Sequence, residues 1–226
     1  MSNKTNYKVV VGVSCLYWLL AALYMYWPSW LDPAFRPYEK ALPILLLACW
    51  LGWKSKGWAL LPVAALVFSA AGDISGDSGA SGFLPSIALF GVAQILYAVT
   101  FGRSFSFRMS QVPLAVLFII GIGIMIFHLS DSPKLIDPVL KIVVFAYLAV
   151  ISAMALTAIF GNKYSIMLPI GALIFVVSDS CIAWDRFISP VPNAGFWVMF
   201  TYGLAQYLIT LGLLYSKSKE QNKCLS

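Results

Sequence analysis

The chain is organised around Phe68-Ser-Ala-Ala-Gly-Asp73, where an apolar segment of membrane-spanning length ends on a carboxylate. The pattern returns in Phe175-Val-Val-Ser-Asp179, which closes another apolar segment four segments later. An ionisable side chain inside a membrane span is energetically costly, so it is by default a candidate functional group. Two carboxylates in matching places therefore predict one shared site.

The composition around these stretches is that of a membrane protein. Of 226 residues, 61% are hydrophobic and only 11% are charged, and the mean hydropathy is +0.85. These values are far from those of ordinary soluble domains. The net charge of +6 is explained by basic residues that flank and orient membrane helices, and we find no nucleic-acid-binding motif. The first apolar segment exceeds signal-peptide length and lacks a cleavage pattern, so we expect it to be retained.

Eight apolar segments match the length that a membrane helix requires. A hydrocarbon core of about 30 Å needs roughly 20 residues in a helix, and lipid tolerates few other structures. The predicted fold class is an all-α integral membrane protein with eight transmembrane helices in a single domain, followed by a basic tail at residues 217–226. The predicted spans are residues 9–27, 38–53, 58–73, 84–101, 112–129, 139–160, 165–183 and 194–215.

The distribution of charge predicts the orientation. Eight spans would place both termini and the loops after the second, fourth and sixth spans on one side. These segments hold ten of the fifteen basic residues and one acid, Glu220. By the positive-inside rule this side is cytoplasmic, so we expect a multi-pass protein of a cell membrane, the inner one in a bacterium. The basic residues are Lys4, Lys8, Lys54, Lys56, Arg103, Arg108, Lys163, Lys217, Lys219 and Lys223.

The two halves of the chain resemble one another. Gly91-Val-Ala-Gln-Ile-Leu96 matches Gly203-Leu-Ala-Gln-Tyr-Leu208, and Pro37-Tyr-Glu-Lys40 is similar to Pro138-Val-Leu-Lys141. Each partner lies four spans later, so we predict two parallel four-helix repeats, at about residues 8–103 and 110–216. The repeat would bring Asp73 and Asp179 to similar depths, in a polar pocket that opens toward the outer leaflet.

Several motifs together resemble the YhhN family of membrane proteins, the lysoplasmalogenases. The resemblance covers nearly the whole chain. Two positions depart from the family pattern: Ala41 stands where the family usually has proline, and Gln94 stands where it often has histidine. The motifs are Lys40-Ala-Leu-Pro43, Gly72-Asp73, Tyr147 with Met154, the run from Gly171 to Asp179 with Ala183 and Phe187, and Tyr202 with Ala205-Gln206.

The resemblance implies hydrolysis of the vinyl-ether bond of lysoplasmalogen, a membrane lipid, without a metal or cofactor. The products would be a fatty aldehyde and glycerophosphoethanolamine or glycerophosphocholine. A vinyl ether is cleaved by protonating its outer alkene carbon, after which water captures the oxocarbenium ion. This chemistry needs an acid, a base and nearby negative charge, as in glycoside hydrolysis.

Asp73 and Asp179 are the predicted catalytic pair. Two neighbouring carboxyl groups disfavour double ionisation, so one holds a proton while the other is ionised, and their individual roles stay open. Lys40 is expected to partner a carboxylate or the substrate phosphate. For the tyrosines and glutamines, hydrogen bonding between helices is the alternative role. The predicted substrate-binding residues are Lys40, Gln94, Tyr97, Tyr147, Ser178, Tyr202 and Gln206.

Other functions remain open at this stage. A proton-coupled transporter of a small solute or lipid would use the same acids, and a non-catalytic lipid-binding protein would need neither. No metal site is predicted, because His128 is the single histidine and the four cysteines contain no C-x-x-C pair. The Gly/Ser-rich segment 75–82 reads as a flexible linker rather than a phosphate loop. Asp185 and Arg186 are interpreted as a solvated loop pair.

Overall fold

The protein is all-helical, as predicted. The computed structural model describes residues 3–26, 33–55, 57–161 and 165–223. Its helix boundaries lie within about three residues of the predicted ones with two exceptions. The first helix begins at Asn3, six residues before the predicted start, and the last helix continues into the segment assigned to the basic tail. The helices are α1 (Asn3–Tyr26), α2 (Arg36–Ser55), α3 (Leu60–Gly76), α4 (Phe83–Gly102), α5 (Val112–Ser130), α6 (Pro138–Ile159), α7 (Met167–Ala183) and α8 (Ala194–Lys223).

Six helices in the described part of the chain are long and apolar enough to cross a membrane, which identifies a multi-pass membrane protein. They are α1, α4, α5, α6, α7 with the turn after it, and α8. Two helices differ. Helix α3 has 17 residues, and α2 carries Glu39 in its first turn and Lys54 in its last.

The ends of the helices have local causes. Pro138 begins α6 with its fixed backbone angle, and the Asp137 carboxylate accepts hydrogen bonds from the backbone N–H groups of Val139 and Leu140 at 2.7 and 3.1 Å. The Gly/Ser-rich segment after α3 forms a tight turn with a short 3-10 helix (Ala80–Gly82). A Cβ on Gly82 would lie 1.8 Å from the carbonyl oxygen of Ser75, so only glycine fits at this close approach.

Small residues bring α7 and α8 into close contact. A Cβ on Gly171 would lie 2.9 Å from the carbonyl oxygen of Ala205, and a Cβ on Gly212 would lie 2.9 Å from the backbone nitrogen of Leu168. Small residues of this kind allow helix backbones to approach in membranes. By contrast, α5 packs mainly on α6 and exposes many large apolar side chains, as expected for a surface that faces lipid.

One end of the helix bundle, called here the pocket end, collects the polar side chains. Helices α3 and α7 finish there, and α4, α6 and α8 begin there. Lys40, in the first turns of α2, reaches the same level through its contact with Asp73. The arrangement brings together helix ends that are far apart in sequence.

Candidate active site

A cavity of about 400 Å³ opens at the pocket end between α3, α4, α6, α7 and α8. Its volume lies in the range of small-molecule binding sites. The structure brings Asp73 and Asp179 together on its wall, with four of the predicted substrate-binding residues. These four are Lys40, Tyr147, Ser178 and Tyr202.

Asp73 has a partner for each of its carboxylate oxygens. The Lys40 ammonium lies 3.8 Å from Oδ1, and the Tyr202 hydroxyl donates to Oδ2 at 2.7 Å. The residue is only 2% exposed. Lys40 comes from α2 and Tyr202 from α8, so three helices meet at this one carboxyl group.

Asp179 has a different environment. The Tyr147 hydroxyl, from α6, donates a hydrogen bond to its Oδ2. Within the described ranges, no lysine or arginine lies within ion-pair distance of this carboxyl group. Asp179 is close enough to Asp73 for the two carboxyl groups to interact electrostatically. Asp73 and Asp179 therefore differ in their partners, because only Asp73 has a cation beside it.

An aromatic cluster fixes the position of Tyr202. Its ring packs edge-on against Phe90 at 5.8 Å and Phe175 at 5.4 Å between centroids. The Phe90 ring also covers Gly72, where a Cβ would lie 2.8 Å from a ring carbon. Gly72 thus leaves room for the Phe90 ring, which packs against Tyr202.

Ser178 joins two helices at the cavity wall. Its hydroxyl donates to the backbone carbonyl of Val198 at 3.0 Å, so its proton is directed at α8. Ser86, which the sequence analysis did not select, makes a similar bond to the carbonyl of Gly72 at 2.8 Å. Both hydroxyl groups therefore hold the walls of the cavity in place.

A buried hydrogen-bond chain lies deeper in the bundle. The Tyr97 hydroxyl donates to Gln206 Oε1 at 2.7 Å, and Gln206 Nε2 donates to Ser69 Oγ at 3.0 Å. Ser69 lies one helical turn before Asp73 on the same face of α3. Tyr97 and Gln206 do not line the cavity. The spacing within the stretch 68–73 was the available signal for Ser69, which the sequence analysis missed.

Gln94 is fully buried beside the Tyr147 hydroxyl. Neither polar atom of its amide completes a hydrogen bond of normal geometry with a described residue. A buried amide without partners is uncommon, because it forfeits its interactions with water. Gln94 is absent from the cavity wall, so it lies directly behind a side chain that contacts Asp179.

Arg186 is exposed to solvent, as interpreted from the sequence, but it does not form an ion pair with Asp185. The Asp185 carboxylate accepts a hydrogen bond from the backbone of Val191 at 2.8 Å. The Arg186 guanidinium instead lies 3.6 Å from the centroid of the Phe83 ring and lines the cavity. The two side chains are adjacent in sequence but serve different local contacts.

His128 packs against the ring of Trp184, with 5.1 Å between centroids. In the described part of the chain, no three histidine, cysteine or acidic side chains form a group that would hold a metal ion. The cavity wall offers carboxyl, hydroxyl and basic groups.

Fold and site together define an all-helical, multi-pass membrane protein with Asp73 and Asp179 on the wall of one cavity. The YhhN family profile matches residues 35–213, and the chain belongs to this family. It is 36% identical to human lysoplasmalogenase TMEM86B over 184 residues, covering 80% of this chain and 76% of the relative. It is 32% identical to bovine lysoplasmalogenase TMEM86A over 216 residues, covering 88% and 85%. No solved structure gives a significant match.

Proposed function

We propose that this protein is a lysoplasmalogenase, which hydrolyses the vinyl-ether bond of lysoplasmalogens to a fatty aldehyde and glycerophosphoethanolamine or glycerophosphocholine. The observation that carries the proposal is the placement of Asp73 and Asp179 on one cavity wall with unequal partners. Relatives named lysoplasmalogenase support it across most of the chain. The reaction uses acid–base catalysis by the two carboxyl groups and needs no metal.

The unequal partners suggest separate roles for the two acids. The Lys40 ammonium stabilises the ionised form of Asp73. Asp179 has no such cation among the described residues and faces the negative charge of Asp73, so it holds the shared proton. Asp179 is the general acid and Asp73 the general base in this assignment.

The reaction then follows with its protons in balance. Asp179 transfers its proton to the outer alkene carbon, and the carbon bonded to the ether oxygen becomes an oxocarbenium ion, stabilised by the nearby carboxylates. Asp73 takes a proton from the water that attacks this carbon, giving a hemiacetal. The hemiacetal hydroxyl loses its proton to Asp179 while the ether oxygen receives one from Asp73. The carbon–oxygen bond breaks, and both acids return to their initial states.

The remaining predicted residues would bind or position the substrate and water. Tyr147 and Tyr202 orient the two carboxyl groups directly. Ser178 fixes the wall between α7 and α8. Three further buried residues support the residues of the cavity wall from the side away from the cavity. These three are Gln94, Tyr97 and Gln206. The alkenyl chain lies along the apolar side chains of the cavity.

The proposed architecture has eight transmembrane helices in two parallel four-helix repeats. Helices α2 and α3 cross the membrane in addition to the six long apolar helices. Asp73 and Asp179 near the ends of α3 and α7, and Gln94 and Gln206 buried in α4 and α8, support the repeats. Both termini and the basic tail lie in the cytoplasm of a bacterial cell, and the cavity faces the outer leaflet of the inner membrane. The basic residues of the cytoplasmic segments support this orientation.

The test is aldehyde release from lysoplasmalogen by the protein purified in detergent. Asp73→Asn and Asp179→Asn are expected to lose most of the activity, whereas Asp131→Asn, at the end of α5 outside the cavity, is the matched control. Full activity in either active-site variant would refute the paired-carboxylate mechanism, and sensitivity to a chelator would refute metal independence. Proton-driven uptake into vesicles, without aldehyde release, would favour a transporter.

A further inference from the structure

We infer that Arg186 forms the binding site for the substrate phosphate at the mouth of the cavity. The inference rests on the proposed function for the identity of the lipid. Two cations line the cavity, Lys40 and Arg186. Lys40 is engaged by Asp73, whereas the Arg186 guanidinium has no hydrogen-bond or ion-pair partner among the described residues. Arg186 is therefore the basic group at the cavity that is available to an anion.

The local structure holds the guanidinium toward the cavity. After α7 the chain makes a π-helical turn (Trp184–Ile188), in which the Ser189 N–H donates to the Trp184 carbonyl at 3.0 Å. Single π-helical turns of this kind are frequent at functional sites. The Phe83 ring then supports one face of the guanidinium at 3.6 Å, leaving its edge N–H groups for a ligand. An arginine fixed in this way suits bidentate binding of a phosphate.

The spacing between Arg186 and Asp179 fits the proposed substrate. The two residues are seven positions apart, with Arg186 already in the π-helical turn. They lie roughly 10 Å apart along the helix axis, and both line the cavity. In a lysoplasmalogen, roughly seven covalent bonds separate the outer alkene carbon from phosphorus, a distance of about 8 Å at the advance per bond of an extended chain. Phosphate at Arg186 would thus leave the alkene carbon within reach of Asp179.

The charges in the cavity give the substrate one orientation. Two coupled carboxyl groups lie inside and would repel a phosphate, whereas the unpaired cation lies on the turn beyond α7. The Asp185 carboxylate also lines the cavity, but it accepts a hydrogen bond from the backbone N–H of Val191 and does not form an ion pair with Arg186. The headgroup therefore stays at the mouth, and the alkenyl chain enters the apolar part of the cavity.

The test is binding of lysophosphatidylethanolamine, an ester lipid without the vinyl ether, compared with a phosphate-free monoacylglycerol of the same chain. The native protein should prefer the phospholipid. Arg186→Gln should weaken phospholipid binding at least about 10-fold, as expected for loss of a charged hydrogen-bond pair, and leave monoacylglycerol binding unchanged. Arg186→Lys should retain part of the preference. Arg103→Gln, at the other end of α4, is the matched control with an unchanged preference.

Activity provides a second readout that separates the two proposals. With lysoplasmalogen, Arg186→Gln should raise KM about 10-fold with little change in kcat, and with a phosphate-free alkenylglycerol it should change neither. If the native protein releases aldehyde but Arg186→Gln keeps the preference for the phospholipid, the inference about Arg186 is wrong. The proposed function is then still supported. Phosphate-dependent binding without aldehyde release supports the inference and refutes the proposed function.

Inorganic phosphate distinguishes a lipid headgroup from a free anion. If Arg186 serves the headgroup, phosphate at millimolar concentration should not bind the native protein appreciably, because the chain contributes most of the affinity. The opposite result would be that the native protein binds phosphate alone, that Arg186→Gln abolishes this binding, and that the native protein binds the two lipids with equal affinity. This result would overturn the assignment of Arg186 to a lipid headgroup.

Discussion

Asp73 and Asp179 each lie near the C-terminal end of a helix, α3 and α7 respectively, yet their surroundings differ. Asp73 is held by Lys40 from α2 and Tyr202 from α8, whereas Asp179 is held by Tyr147 from α6. In the proposed repeat Lys40 corresponds to Lys141, whose ammonium donates to the carbonyl of Ser130 at 3.0 Å and does not line the cavity. One cation, placed beside only one of the two acids, makes two similar carboxyl groups chemically different.

Replacing each acid by asparagine should have the largest effect and should distinguish their roles. We expect activity to fall about 10²- to 10⁴-fold in both Asp73→Asn and Asp179→Asn, the range for loss of a general acid or base. Azide should restore turnover in Asp73→Asn, because it captures the oxocarbenium ion without a base. It should not restore Asp179→Asn, in which that ion does not form.

The measurement is consumption of the vinyl ether with and without azide. Rescue of Asp179→Asn in place of Asp73→Asn would reverse the assigned roles.

Removing the cation should make the two acids more alike. We expect Lys40→Met to reduce kcat about 10- to 100-fold, because the ionised form of Asp73 loses its stabilising charge. Lys141→Met is the matched control, since its ammonium binds a carbonyl outside the cavity, and it should retain nearly full activity. Steady-state rates of aldehyde release at neutral pH test this difference. Equal loss in both variants would show that Lys40 has no special relation to the site.

Removing the hydroxyl group of Tyr147 should lower activity more than removing that of Tyr202. Tyr147→Phe removes the hydrogen-bond donor observed at Asp179, so we expect kcat to fall about 10-fold. Tyr202→Phe should cost less, because Asp73 keeps Lys40. Tyr207→Phe, which loses a 2.6 Å bond to Ser14 away from the cavity, is the control. A larger loss in Tyr202→Phe than in Tyr147→Phe would contradict this order.

Glycines on the two helices that carry the acids should respond differently to an added methyl group. Gly171→Ala on α7 meets the backbone of Ala205, which cannot move aside easily, so we expect a loss of about 1 to 3 kcal/mol in the free energy of unfolding. Gly72→Ala meets the Phe90 ring, which can shift, and should lose about 1 kcal/mol or less. Gly123→Ala has open space and serves as the control. Thermal unfolding in detergent tests the order.

The helices and the two acids were predictable from sequence because lipid imposes a simple rule. Backbone groups in a bilayer must bond within the chain, so apolar segments of sufficient length become helices whatever their neighbours are. The same cost makes Asp73 and Asp179 conspicuous. The ends of the stretch 68–73 were less clear: α3 continues past Asp73 to Gly76, where local glycine and serine contacts prolong the ordered structure.

The contacts that each residue of the site makes were decided by the tertiary structure. Tyr202 lies 129 positions from the carboxylate that it contacts, and the roles of Ser178 and Arg186 depend on how α7 and the turn after it are rotated about their axis. Hydropathy fixes how deep a residue lies in the membrane but carries little information on this rotation, which close packing at sites such as Gly171 determines. The sequence alone thus determined that two acids lie at the ends of apolar segments. Only the packed helices placed a lysine beside one of them and an arginine at the mouth of the cavity.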